Sequence, residues 1–304
     1  MFEDELELSA TEEKKFRNYV KKNLKADLVG CYEAAVQAAK DQGLLPAAYN
    51  SASAMYYEDL PALLHIDRLL NGPPKDHLLS YLIIDEAQDY MPYEITELHA
   101  LTKRNGIMLI GDLGQNLNRA NTLRDWNVLG ELIGDLSLYE LKATYRSTAQ
   151  IVEVSNEIIG PFATGKYSLS AETFRDGEPV EFVEFTPDKE EEELIQILEQ
   201  AVFDSKYEPV AVIVKDESMI ERYHYMIDPY FSVAIQTAGK LPTGTKVVIT
   251  TPSAVKGLEF EAVVIVRFSD YEPTDDDRKL AYVATSRALH QLYIMVEKGK
   301  ASLI

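Results

Sequence analysis

Residues 78–84 form a nearly unbroken apolar run, and a second such run, Ile107-Met108-Leu109-Ile110, follows after a short helical stripe. Runs of this kind are what strands buried on both faces of a parallel sheet require. Between them Pro92 stands where a first helical turn begins, and Ile95, Leu98 and Leu101 fall on one helical face. Strand, helix, strand at this spacing is a βαβ unit, which commits the region to the α/β class.

The same alternation returns downstream. Residues 180–185 read as a strand, and Thr186-Pro187 starts a helix whose face is Leu194, Ile197, Leu198, Ala201 and Val202. Strands are predicted at 210–214, 231–235, 246–251, 262–266 and 291–296, with a helix over about 279–288 before the last. The junction between two α/β layers is expected near 141–143. Ahead of the first strand the chain reads as helices and turns. Ser9-Ala10-Thr11-Glu12 is a capping-box pattern leading into a face of Phe16, Tyr19, Val20, Leu24 and Leu28. Ala34, Ala35, Ala38 and Ala39 extend a second, small-residue stretch, and both read as helix packing without chemistry. Thr274-Asp275-Asp276-Asp277 reads as a short acidic loop.

A chain of 304 residues can bury two modest cores. Its one cysteine, Cys31, permits neither a disulfide framework nor a thiolate metal site within the chain, and its five histidines never fall at zinc-ligand spacing. No apolar run approaches the length of a membrane span, and the acidic start has no leader character, so a cytoplasmic location is expected. Thirty Lys and Arg against fifty Asp and Glu give a net charge of −20. Proteins that grip nucleic acid draw much of their affinity from phosphate neutralisation, so this balance points toward a partner other than naked nucleic acid.

Five segments carry chemistry. Asp85-Glu86-Ala87-Gln88-Asp89 directly follows the first apolar run, where open α/β sheets bind ligands. Two adjacent carboxylates there suit nucleotide hydrolysis, one holding Mg²⁺ and the other orienting water; the plainer alternative is a solvated strand-to-loop turn. Gly111-Asp112-Leu113-Gly114-Gln115 follows the second run at the same edge, with a glutamine able to sense a γ-phosphate. Tyr145-Arg146-Ser147-Thr148 opens a helix capped by Ser147 or Thr148. Its guanidinium suits bidentate phosphate recognition and its tyrosine can stack on a base. Residues 247–260 place a polar loop with Lys256, Gly257 and Glu259 between two buried strands. Residues 277–288 form a helix ending in Arg287 on its polar face, which taken singly would be a solvated arginine.

In order and spacing these segments resemble motifs II to VI of the superfamily 1 helicases related to UvrD and Rep. The resemblance covers about residues 56–304. Tyr57-Glu58-Asp59-Leu60-Pro61-Ala62-Leu63-Leu64, Asp85 with Met91-Pro92-Tyr93, and Lys256-Gly257-Leu258-Glu259-Phe260 bring it nearest to the helicase IV-like group. Within that group it is similar to the Gram-positive helicase D family that binds RNA polymerase. The resemblance implies RecA-like P-loop NTPase folds with parallel sheets flanked by helices. A helical segment over 1–55 would precede the C-terminal part of a first RecA-like domain over 56–141 and a complete second one over 142–304. It implies ATP and Mg²⁺ as cofactors, with hydrolysis between the two domains. Asp85 would coordinate Mg²⁺, Glu86 activate water, and Gln115 couple the γ-phosphate to the partner-binding surface. Tyr145 would stack on adenine, Arg146 and Arg287 reach the γ-phosphate, and Lys256, Gly257 and Glu259 lie near the phosphates and ribose.

Three departures qualify the match. No Gly-x-x-x-x-Gly-Lys-[Ser/Thr] occurs, so the β- and γ-phosphates lack their cradle of backbone N–H groups and lysine, and this polypeptide alone is expected to turn over ATP negligibly. The remainder of a helicase chain carrying that loop is therefore an expected partner. Asn116-Leu117-Asn118-Arg119-Ala120-Asn121 replaces the base-stacking aromatics that follow the motif III glutamine in unwinding enzymes. Thr251-Pro252 stands where those enzymes carry Thr-x-His. Both departures, and the acidic charge, fit a motor that acts on RNA polymerase rather than DNA. The alternative from a different class is a non-catalytic interaction module derived from a truncated helicase.

Overall fold

A computed structural model of the chain describes residues 27–46, 49, 56, 59–72, 78–103, 106–117, 122–134, 136–164, 168–169, 172–204, 209–236 and 244–304. Contacts divide the chain into two compact units: Met1–Gly111 with Trp126–Leu136, and Asp112–Asp125 with Ser137–Ile304.

In the first unit, α1 (Leu28–Asp41) is capped by Asp27, whose carboxylate accepts from the Gly30 N–H. Leu28 thus opens the small-residue helix rather than closing the stripe before it; the rest of that stripe, with the capping box, lies outside the described residues. Tyr32 and Val36 of α1 pack with Leu63 of α2 (Leu60–Asn71). Beneath them both Tyr32 and Tyr49 donate hydroxyl hydrogen bonds to the buried Asp59 carboxylate. Burial works against that carboxylate, but the two phenols and the Tyr56 N–H hold its pKa below the usual range. α2 is tied to α3 (Pro92–His99) through Glu97, which pairs with Arg68 at 2.9 Å and His65 at 2.7 Å.

The expected βαβ unit is present: β1 (Leu82–Ile84), α3 and β2 (Ile107–Leu109), with the strands parallel and Ile83 opposite Met108. The expectation that both strands are buried on two faces is corrected. Ile84 is buried, but Ile83 is 59 % and Met108 47 % exposed. Among the described residues this sheet has two strands only, and the face carrying the Ile83–Met108 pair is uncovered. α4 (Asn127–Ile133) packs its buried Leu129 on the same unit.

The second unit is built on a six-stranded, wholly parallel sheet. Its strands are β5 (Glu181–Phe185), β6 (Val210–Ile213), β7 (Val233–Gln236), β8 (Val247–Thr250), β9 (Phe260–Ile265) and β10 (Ala288–Glu297), in the spatial order β5-β10-β9-β6-β8-β7. Every residue of β6 and β8 is buried, which their continuous apolar sequences require. The helices are α5 (Ala149–Ala163), α6 (Glu190–Glu199), α7 (Ile220–Ile227) and α8 (Asp275–Thr285). Two clusters cover opposite faces of the sheet. One joins α6 and α7 residues to Val210, Val212, Val247 and Val264; the other joins α5 and α8 residues to Ala211, Ile213, Val248 and Val263. The predicted stripe Leu194, Ile197, Leu198, Ala201 and Val202 is buried throughout. This is the helix-flanked, parallel α/β architecture that the sequence predicts.

Two local readings change. Residues 274–277 are not a loop: Thr274 caps α8, its hydroxyl accepting from the Asp277 N–H, and the three aspartates fill the first turn, where they complement the helix dipole. The helix of 279–288 accordingly starts earlier and stops at Thr285. Two-residue strands β3 (Ala143–Thr144) and β4 (Glu172–Thr173), parallel to each other, complete the unit.

Candidate nucleotide-site residues and their surroundings

The acids of the first unit sit at the carboxyl end of β1. Asp85 is exposed, and its Oδ1 accepts from the Glu86 N–H at 2.9 Å. Glu86 adopts a left-handed conformation with φ of 52°, uncommon for a residue with a side chain. That bend turns the chain into the short 3₁₀ turn Ala87–Asp89, where the buried Gln88 amide donates to the Glu86 carboxylate. Gly111, ending the second run, packs against this turn: a Cβ built on it would stand 2.2 Å from Gln88 Oε1. Gly111 is therefore needed for its close approach to the Ala87–Asp89 turn, not for a positive φ. No group of three or more His, Cys, Asp or Glu side chains able to hold a metal occurs among the described residues. Mg²⁺ does not need one, since it is commonly held by one or two carboxylates with waters and substrate phosphates supplying the rest, and the exposed Asp85 fits that role.

The second unit gathers most of the other singled-out residues. Arg287 lies past the end of α8 and is 1 % exposed, so the expectation of an arginine on the helix's polar face is corrected. Its guanidinium donates to Val283 O at 3.1 Å, Leu258 O at 3.4 Å, Gln115 Oε1 at 2.8 Å and Ser286 Oγ at 3.0 Å. Burying a guanidinium without acceptors would be very costly; here three backbone or side-chain segments satisfy it. Gln115 in turn donates to Asp112 Oδ2 at 3.0 Å, and the same oxygen accepts from the Tyr282 hydroxyl at 3.0 Å. Residues 112–115, the loop before β9 and the end of α8 thus converge on the Arg287 side chain.

Arg146 and Glu259 form an ion pair at 2.6 Å with both side chains partly exposed. The helix cap is Thr148, without a side-chain cap bond, whereas Ser147 Oγ donates to Ala288 O at 2.7 Å and pins the start of α5 to β10. Tyr145 is 69 % exposed and stacks on Phe174, ring centroids 4.3 Å apart and planes within 4°. Phe174 carries no signal in the sequence, for no local pattern links it to Tyr145. Gly257 has φ of +79°, a left-handed turn that reverses the chain between Val255 and Leu258; Lys256 beside it is half-buried.

Glu259 and Arg287 fall at one end of the six-stranded sheet. Glu259 immediately precedes β9 and Arg287 immediately precedes β10, and the Phe260 N–H donates to Arg287 O at 2.9 Å. The arginine cluster therefore stands at the amino ends of these strands. At the carboxyl ends of β6 and β8 lies a separate polar cavity of about 280 Å³, lined by Asn116, Leu117, Lys215, Thr251, Ser253 and Lys279 with three carboxylates. Lys215 there is committed to Asp277 at 2.6 Å and Asp270 O at 2.7 Å.

Comparison with known proteins shows partial likenesses. Residues 139–228 match a family model described as the UvrD-like helicase C-terminal domain, and residues 246–295 match a second model of the same description. A probable DNA helicase of Mycoplasma pneumoniae is 24 % identical over 237 residues, covering 71 % of this chain and 43 % of that protein. DNA helicase IV of Escherichia coli is 22 % identical over 253 residues, covering 73 % of this chain and 34 % of its own length. The chain thus spans less than half the length of these relatives. A solved C-terminal domain of a possible DNA helicase from Lactobacillus plantarum WCFS1 is 24 % identical, with a TM-score of 0.42 over 53 % of this chain and 91 % of that one. Two separate stretches of the second unit match the UvrD-like helicase C-terminal domain, and the chain is similar to the C-terminal portion of superfamily 1 DNA helicases of the UvrD and Rep type.

Proposed function

We propose that this chain supplies the arginine-bearing part of the ATP site of a superfamily 1 helicase-type motor. The observation that carries the reading is the convergence on Arg287: a buried guanidinium held by Gln115, Leu258 O and Val283 O. An arginine guanidinium can stabilise the charge that develops on a transferring phosphoryl group; here Gln115 and Ser286 would first release the buried Arg287 Nη2. Arg146 and Arg287 would contact the γ-phosphate, Tyr145 the adenine, and Glu259 the ribose, with Lys256 and Gly257 bordering them. Asp85 would hold Mg²⁺, which supplies charge neutralisation to the phosphates, and Glu86 would orient the attacking water.

Gln115 is suited to coupling. It touches Arg287 on one side, while its neighbours Asn116 and Leu117 line the polar cavity at the other end of the sheet. A change at the γ-phosphate would then be felt where a partner docks. DNA is the partner suggested by the relatives' names. RNA polymerase is the second reading, favoured by the net charge of −20 and by a cavity one of whose two lysines, Lys215, is already ion-paired. Binding to single-stranded DNA at varied salt separates them. A steep salt slope with sub-micromolar affinity supports a DNA translocase, and no binding at low salt supports a protein partner.

Because these residues include no phosphate loop, the chain alone is expected to hydrolyse ATP negligibly. Robust Mg²⁺-dependent turnover by the purified chain would contradict that.

A further inference from the structure

The geometry points to Phe174 as a positioning residue that turns Tyr145 into a two-ring platform for a nucleobase. This rests on the reading of Tyr145 as the base-stacking residue and adds to it a side chain 29 positions away that no motif contains.

An exposed tyrosine on a loop is a poor stacking surface by itself, since its ring must lose rotamer freedom when a base settles on it. Here that cost is met in advance. Phe174 lies parallel to Tyr145 at 4.3 Å and covers one face of it. Tyr145 nonetheless remains 69 % exposed, so its other face stays open. Phe174 is itself 56 % exposed, more than an aromatic placed only for core packing would be.

The backbone fixes the pair from both sides. β3 and β4 run parallel, placing Ala143 against Glu172 and Thr144 against Thr173. One residue further on, the two rings meet. Beyond them Arg175 Nη1 donates to Arg146 O at 2.8 Å, and the Ala149 N–H donates to Arg175 O at 2.8 Å. Arg175 Nη2 also meets the His290 ring at 2.9 Å, and His290 pairs with Glu261 at 3.0 Å. Residues 172–175 therefore clamp residues 143–149 along their length, fixing the Tyr145 ring and the Arg146 main chain together. A flat base on the open face would continue the stack as base, Tyr145, Phe174, with its phosphates toward Arg146. Stacking of this kind is tolerant of base identity but favours the larger purine surface.

The test uses the purified chain with two probes, ATP and inorganic tripolyphosphate, followed by saturation-transfer NMR on the adenine protons and by competition. Phe174→Ala is expected to weaken ATP binding about three- to tenfold, the range an aromatic pair contributes. Tripolyphosphate binding and the thermal midpoint should stay as in the unmodified chain, and Phe174→Tyr should restore ATP affinity. A purely structural role would move both probes together and would overturn the inference. If Tyr145→Ala weakens ATP binding and Phe174→Ala does not, Phe174 has no positioning role although Tyr145 still stacks. If neither substitution matters, or if ATP at millimolar concentration makes no adenine contact, the base site at Tyr145 fails and this inference fails with it.

Discussion

Gly111 shows how tightly single residues fix the candidate site. Its missing Cβ leaves room for Gln88 Oε1, with the backbone nitrogens of Ala87 and Gln88 at 3.2 Å from where that carbon would stand. Gln88 is fully buried and its amide holds the Glu86 carboxylate. Gly111→Ala should displace Gln88, loosen Glu86 and cost about 1–3 kcal/mol, the usual scale of overpacking, read as a shift in denaturant midpoint. The same substitution in a Gln88→Ala background should cost much less; an equal cost in both would show that Gln88 is not the obstacle. The residue scale is also where the sequence is least informative. Arg287 reads as a surface arginine because its acceptors come from Leu258, 29 positions away, and Gln115, 172 positions away. Phe174 and Arg175 carry no signal at all, because what gives them meaning is a pair of two-residue strands too short to have a period.

At the scale of elements the sequence is far more legible, and for a physical reason. β6 and β8 lie in the middle of a parallel sheet with helices on both faces, so every position must be apolar and the run announces itself. α6 presents one buried face and four glutamates in its first turn, which satisfy both periodicity and the helix dipole. β1 and β2 mislead for the same reason in reverse: their sequences are those of doubly covered strands, yet Ile83 and Met108 lie on an uncovered face. The acidic run 274–277 misleads because charge suggests a loop, whereas three carboxylates after a threonine cap are what a helix amino terminus favours. Ile249, fully buried in β8 within the cluster containing α6 and α7, tests the packing of this layer. Ile249→Ala should lower stability by about 2–5 kcal/mol with an unchanged denaturant slope. A loss under half a kcal/mol would mean that β8 is not in the core.

At the scale of the whole molecule, charge governs the response to pH. Burial disfavours ionised Glu97 and Asp270, but Arg68 and His65 outweigh it for the first and Arg267 and Lys300 for the second, so both carboxyls are held below their ordinary range. Groups with depressed folded pKa values contribute stability that is present above the unfolded value, near 4, and lost as pH falls through the folded one. The thermal midpoint should therefore hold between about pH 8 and 5 and fall below about pH 4. Asp270→Asn should flatten that fall, and an identical acid profile in the variant would remove Asp270 from the account. The central claim, that the buried guanidinium of the second unit serves phosphoryl transfer, is tested most directly by steady-state ATP turnover of the protein as the cell makes it, with Arg287 intact or replaced in Arg287→Gln. The account predicts a loss of about 10³-fold or more, the range for arginines that stabilise a transferring phosphoryl group. Turnover within tenfold of the unmodified protein would contradict it.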